Sequence, residues 1–252
     1  MAITLNGTTG ITTPDITNSG ALGVNASAPD NSLVVGSTGN VGIGTSSPNA
    51  TLEVNGGTYN VPIAAISTDA YSYITMMDNT TTGAVGNASV AVGALGDAMI
   101  FRTNQAERAR IDSAGRVTMP YQPSFDAYTP AVTSEDNTVI FGSTRHNEGS
   151  HYSTSTGLFT APINGVYFFR FSLLMGNPYT ASYHRILWIV NNVASVSYGD
   201  TLTDKGGQTS YHATQGTLVI KLSANDTVGV YNAGPIPTYG TSYGSWGGFL
   251  IG

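Results

Sequence analysis

Thr156-Gly157-Leu158-Phe159-Thr160-Ala161-Pro162-Ile163-Asn164-Gly165-Val166-Tyr167-Phe168-Phe169-Arg170-Phe171-Ser172-Leu173 decides the fold. From Tyr167 the run alternates. Tyr167, Phe169, Phe171 and Leu173 fall on one side, and Phe168, Arg170 and Ser172 on the other. A period of two is that of a β-strand with one buried face. Upstream, Phe159-Thr160-Ala161 reads as a strand that stops at Pro162, which has no N–H for a sheet ladder. Gly165 is then expected to permit the turn into the long aromatic strand.

Other segments downstream share the period. Leu218-Val219-Ile220-Lys221-Leu222 alternates with Lys221 outward, and strands are also expected over 186–190, 228–231 and 249–251. Asn191-Asn192 and Ala224-Asn225-Asp226 supply turns at strand ends. Many strands at short spacing without a helical period predict a β-sandwich or jelly roll over 121–252.

Composition agrees with an all-β chain. Of 252 residues, 31 are Gly and only 10% are charged, and Thr, Ser and Asn fill the difference. Such chains favour short strands and turns. There is no Cys, so burial of 14 Tyr, 8 Phe and 2 Trp replaces any disulfide framework. The net charge of -6 argues against nucleic acid, which needs basic clusters. Met1 to Leu5 do not read as a signal peptide, and no apolar run has the length of a membrane-spanning helix.

Charge and aromatics are unevenly placed. No Lys or Arg precedes Arg102, while six acids do, and the first aromatic is Tyr59. These shifts divide the chain into 1–57, 58–120 and 121–252. The first region is Gly-, Thr- and Ser-rich, as in Asn6–Pro14 and Gly36–Pro48, with too few aliphatics for a core of its own. It is either a disordered leader or a segment ordered by three copies sharing one axis. The order of residues 1–35 without a partner is left open. The second region is expected to form short strands over 61–66, 71–77, 89–92 and 98–101, with turns at 78–83 and 95–97, as a β-rich shaft or small intermediate domain. Ser113-Ala114-Gly115-Arg116-Val117 echoes Ser37-Thr38-Gly39-Asn40-Val41, a weak two-copy repeat.

Two resemblances follow from these residues. Asn40-Val41-Gly42-Ile43-Gly44-Thr45-Ser46-Ser47-Pro48 with Leu52-Glu53-Val54-Asn55-Gly56 resembles a phrase of phage tail fibres and related bacterial surface proteins. So does Phe101-Arg102-Thr103-Asn104 through Glu107-Arg108 to Arg110-Ile111-Asp112-Ser113-Ala114-Gly115-Arg116-Val117. In many such fibres the pattern precedes a self-cleaving chaperone domain, which nothing here resembles. The third region resembles the complement-subcomponent-q and tumour-necrosis-factor superfamily. The phrases are 122–128, 156–169 with Asn147 and His151-Tyr152 before it, 187–192, 216–228 and 246–251. The family more often has Gly before the Asp that stands here at 226.

These resemblances imply a homotrimeric jelly-roll head with a shared aromatic axis, and a structural fibre protein of a bacteriophage virion. The N-terminus would engage other virion proteins, and the head a host-surface glycan or protein. Attachment to the capsid as a head fibre or decoration protein fits the same phrases as attachment to the tail, and the receptor stays unnamed.

Chemistry for catalysis is not found in the sequence. His146, His151, His184 and His212 show no metal-ligand spacing, and no Gly-x-Ser-x-Gly elbow occurs. His151 reads as structural, and Gly42-Ile43-Gly44 as turn chemistry. The competing class is a glycan depolymerase with paired carboxylates, but the acids are few and scattered. No enzyme, cofactor or resident metal is therefore expected. Glu135-Asp136-Asn137 is the one local oxygen cluster that suggests Ca²⁺, which needs six or more oxygens, and a solvated loop explains it as well. The candidate ligand-binding residues are Tyr179, Tyr183, Tyr211, Tyr239 and Tyr243, in segments read as loops over 177–183, 198–211 and 234–245. Tyr combines flat apolar area with a hydroxyl at low entropy cost. The alternative is loop packing and contact between subunits. Trp246 is expected in the core.

Overall fold

The computed structural model describes residues 33–35, 39–58, 61, 63–78, 80–81, 90–175, 183–204, 211–235, 237–240 and 243–252. The Asn6–Pro14 phrase, most of 1–35, half of the 78–83 turn and Tyr179 lie outside them. No helix forms among the described residues. The chain divides into two compact units, Met1–Asp97 and Ala98–Gly252.

In the first unit β1 (Val34–Val35), β2 (Val41–Ile43) and β3 (Leu52–Val54) form a small sheet, β1–β2 antiparallel and β2–β3 parallel. The strand pair β4 (Tyr71–Thr75) and β5 (Val90–Leu95) is antiparallel. Residues 61 and 63–66 do not form the expected strand. Val61, Ile63 and Ile66 are 71%, 65% and 88% exposed, so the apolar spacing there finds no partner strand or core among the described residues.

The second unit opens with β6 (Ala98–Thr103), β7 (Ala106–Ile111) and β8 (Val117–Thr118), an antiparallel meander. The echo between its last turn and the first unit has a structural basis. Gly39 and Gly115 both take left-handed φ angles, +84° and +80°, two residues before the Val that opens β2 or β8.

Ten strands make the sandwich: β9 (Ser124–Pro130), β10 (Asn137–Thr138), β11 (Phe141–Glu148), β12 (Leu158–Thr160), β13 (Gly165–Met175), β14 (Tyr183–Val190), β15 (Val193–Asp204), β16 (His212–Leu222), β17 (Thr227–Asn232) and β18 (Gly244–Leu250). One sheet has the order β11-β9-β18-β13-β16. The other has β10-β17-β14-β15, with β12 also on β17. All ladders in both are antiparallel.

The core lies between the sheets. Tyr167, Phe169, Phe171 and Leu173 are all buried, as their alternation requires. Trp246 is fully buried, edge-on to Phe125 at 4.8 Å and to Tyr152 at 5.0 Å between ring centroids. Asn147 clasps Tyr152: its Nδ2 donates to the Tyr152 carbonyl at 2.8 Å, and its Oδ1 accepts from the Tyr152 N–H at 3.1 Å. His151 stands edge-on to Phe159 at 6.4 Å, a packing position.

Three expectations change in detail. Gly165 has no left-handed backbone and already lies in β13. A Cβ there would sit 2.5 Å from Leu250 Cδ1, so close approach of β13 to the chain end explains the glycine, not a turn. The 198–211 segment is not a loop throughout, because β15 runs to Asp204 and Tyr198 packs against the core. Tyr183 and Gly244 likewise begin strands.

Candidate functional site

The end of β13 gathers the candidate tyrosines. Leu174 donates its N–H to the Tyr243 carbonyl at 3.2 Å, and its own carbonyl accepts from the Tyr239 N–H at 2.7 Å. Next to it, Met175 pairs with His212 on β16 and bridges to Thr238. Tyr211 directly precedes His212. Two connections far apart in sequence are thereby pinned to one strand end. Thr238 is buried and anchors the segment further: its Oγ1 accepts from the Thr133 N–H at 2.8 Å and donates to the Ala131 carbonyl at 2.8 Å.

The rings meet as the backbone dictates. Tyr211 and Tyr239 lie 4.8 Å apart by centroid, and Tyr239 and Tyr243 5.8 Å apart. A hydrogen bond to the Tyr211 hydroxyl holds the Tyr239 phenol above its usual range. Tyr211 and Tyr243 are about half exposed and Tyr239 is partly buried between them, so the trio forms an aromatic surface open to solvent. Tyr183 stands apart from them. It heads β14 in step with Arg185, whose guanidinium holds Asp200 at 2.8 Å. The structure thus joins three of the candidate residues and separates a fourth.

A second surface, which the sequence reading did not single out, lies on the outward face of the β11-β9-β18-β13-β16 sheet. Val219, Phe168 and Phe249 are register neighbours across β16, β13 and β18. Phe168 and Phe249 are 5.3 Å apart, and Val219 and Phe249 are 61% and 47% exposed. The next row carries charge. Asp126 bonds Arg145 at 2.7 Å and lies 3.7 Å from Arg170. The two rows edge an open depression of about 180 Å³ lined by Asp126, His146, Phe168, Arg170, Gly247 and Phe249. The outward parity of Phe168 in the alternating run is the signal that locates it.

The backbone at Glu135 and Asp136 is drawn into a turn against β17. Asp136 gives its N–H to the Asn232 carbonyl at 2.8 Å, and Asn137 Nδ2 binds the Glu135 carbonyl at 2.8 Å, as in a tight turn. Among the described residues no three His, Cys, Asp or Glu side chains converge to hold a metal.

Residues 124–250 thus form an antiparallel two-sheet jelly roll with exposed aromatic surfaces. The family profile described as the C1q domain matches residues 125–251, and the chain belongs to that family. Complement C1q tumor necrosis factor-related protein 3 of Homo sapiens is 32% identical over 96 residues, covering 38% of this chain and 37% of the relative. A complement C1q subcomponent of Bos taurus is 34% identical over 60 residues, 24% of this chain and 25% of the relative. The chain therefore spans about a third of the length of these curated relatives or less. Among solved structures, the globular domain of zebrafish complement 1qA has 19% identity and a TM-score of 0.42, over 52% of this chain and 98% of that one. Eiger TNF from S. frugiperda has 10% identity and a TM-score of 0.43, over 52% and 93%.

Proposed function

We propose that this chain is a non-enzymatic, homotrimeric binding protein. Its C1q-type head engages a surface glycan or protein through Tyr211, Tyr239 and Tyr243, and it is carried on a bacteriophage virion as a fibre. The observation that carries the reading is the tyrosine trio, three rings assembled at one end of the sandwich, two of them about half exposed. Tilted rings of this kind suit the apolar faces and hydroxyls of sugars or the backbone of a protein loop.

Trimerisation is supported by the Val219-Phe168-Phe249 stripe, an apolar surface on a sheet otherwise well packed. The fibre setting is supported by the phrases at 40–56 and 101–117. It is also supported by the exposed Val35, Leu52, Ile63 and Ile66, which a single copy leaves without a core. Attachment is assigned to the N-terminal region and its virion partners, with the head outward on the virion surface.

The test is adsorption to host cells with the Y211A/Y239A/Y243A triple variant and with a chain truncated before residue 121. Both are expected to lose adsorption. Unchanged adsorption by the triple variant would remove the assignment of the trio, and unchanged adsorption by the truncated chain would remove the receptor-binding head. Light scattering is expected to give three times the chain mass, and a monomer would overturn the trimer.

A further inference from the structure

Between the two sheets, at the end that carries the tyrosine trio, two imidazoles lie face to face. His184 is on β14, in step with Ile186 and Trp188, and is fully buried. His212 opens β16 on the opposite sheet. Their ring centroids are 5.2 Å apart and their planes differ by 26°. Among the described residues neither nitrogen of His184 has a hydrogen-bond partner, and Nε2 of His212 has none. Buried polar atoms are normally paired, so three such atoms in one place call for an explanation.

A shared cation does not supply it. Near-parallel rings keep their in-plane lone pairs in separate planes, and no third ligand joins them among the described residues. Counter-charge is missing too among those residues. On β14 and β15, Arg185 and Asp200 are engaged with each other, and Asp204 stands in register with Tyr183, one position from His184. On β13, Arg170 faces outward beside Asp126, and on β16 Lys221 is at the far end. On β17 the phenol of Tyr231 faces Asp136. The one charge that acts on His184 is His212, which opposes its protonation.

We propose that the His184–His212 stack is an acid-operated release: protonation drives β14 and β16 apart at this end and dismantles the Tyr211–Tyr239–Tyr243 surface. The inference rests on the reading of that trio as the binding surface. A positive charge on the fully buried His184 imidazole has no hydrogen-bond partner and faces the His212 ring 5.2 Å away, and no carboxylate among the described side chains offsets it. The mechanical link is short. His212 pairs with Met175 and follows Tyr211, Met175 bridges to Thr238, and the adjoining Leu174 holds the backbone of Tyr239 and Tyr243. Burial and then His212 hold the His184 imidazole down to about 4 from an ordinary 6.5. The opened state binds the proton more readily. The stability contributed by neutral His184 is therefore full above about pH 6.5 and is lost as pH falls toward 4.

The experiment follows ring resonances of the full-length chain, carrying ¹³C-labelled tyrosine and histidine, by NMR from pH 7.5 to 3.5. The three tyrosines are expected to shift together, with a midpoint between 4 and 6.5 that coincides with a histidine transition. In His184→Phe, which keeps a ring in the slot, that shift is expected to vanish. His184→Leu serves as the second variant if His184→Phe is not folded at pH 7.5. Tyrosine resonances that stay in place down to pH 4, or a shift retained at the same midpoint in either folded variant, would overturn the release. No ligand is used. Failure of the trio as a binding surface therefore shows in adsorption, and failure of the acid coupling shows here.

Discussion

Asp126 and Arg170 face each other across Gly247. The three occupy one register row through β9, β18 and β13, and the missing side chain at 247 lets the carboxylate and guanidinium approach to 3.7 Å. Arg145 closes on the same carboxylate at 2.7 Å from β11, and its guanidinium lies 4.6 Å from the Tyr128 ring centroid. One acid thus serves two bases on the face that the proposed trimer buries.

Asp126→Ala is expected to separate assembly from folding. The two arginines are more than half exposed in one chain, so the loss to domain stability is about 1 kcal/mol or less. Buried between subunits without their acid, they would cost about 3–5 kcal/mol. Light scattering should therefore find dissociation at concentrations where the native chain is trimeric, while urea unfolding of the domain moves little.

Trp246→Ala should be among the most damaging single changes. The ring is fully buried against Phe125 and Tyr152, and its removal is expected to cost about 3–5 kcal/mol in chemical denaturation. Trp246→Phe should cost clearly less. It keeps most of the aromatic contact and removes an indole N–H that has no partner.

Tyr152 ties down Phe141 from both sides. Its hydroxyl donates to the Phe141 carbonyl at 2.9 Å and accepts from the Phe141 N–H at 3.1 Å. Tyr152→Phe leaves both buried groups unpaired and is expected to cost roughly 2 kcal/mol. Burial raises this phenol from 10 to about 12. The unfolded chain loses the proton first, so this contribution is full below pH 10 and is lost as pH rises toward 12. Absorbance titration near 295 nm should lose one late-ionising phenol in the variant.

The β14–β15 hairpin separates side-chain bonding from backbone conformation. Asn191 and Asn192 have φ of +50° and +64°, as a two-residue type I′ turn demands. Asn191 also donates to the Asp226 carboxylate at 2.8 Å and accepts from the Thr227 N–H at 2.8 Å, and its hydrogen bond holds the Asp226 carboxyl below its ordinary range. Asn191→Ala is expected to cost about 1–2 kcal/mol from lost hydrogen bonds and a strained φ. Asn192→Gly, which relieves the strain, should be neutral or slightly stabilising. Thermal unfolding of the two variants checks the order.

Much of the head was legible because strand periodicity is local. Alternation alone assigns Tyr167, Phe169, Phe171 and Leu173 to the core, and paired asparagines announce a turn wherever they end a strand. The same logic misread β15. Its Ser, Thr and Gly content resembles a loop, but it is the edge of its sheet and pairs with β14 over 200–204 and 193–195, on either side of an irregularity at 196–199. It also misread 61–66, where apolar residues at strand spacing found no neighbouring strand. A strand exists only in a pair.

The site was only half visible. Tyrosine content marked the segments, yet nothing local distinguishes Tyr183, which stands alone, from Tyr211, Tyr239 and Tyr243, which meet. His184 shares the inward side of β14 with Ile186 and Trp188, and its partner His212 lies on another strand in the other sheet. Sequence by itself determined the aromatic strand β13, its buried face and the family of the head, since each depends on neighbours within a few residues. Tertiary structure alone decided which strand ends share a corner. That choice rests on ladder register and sheet stacking, and these join residues whose separation along the chain carries no record of their meeting.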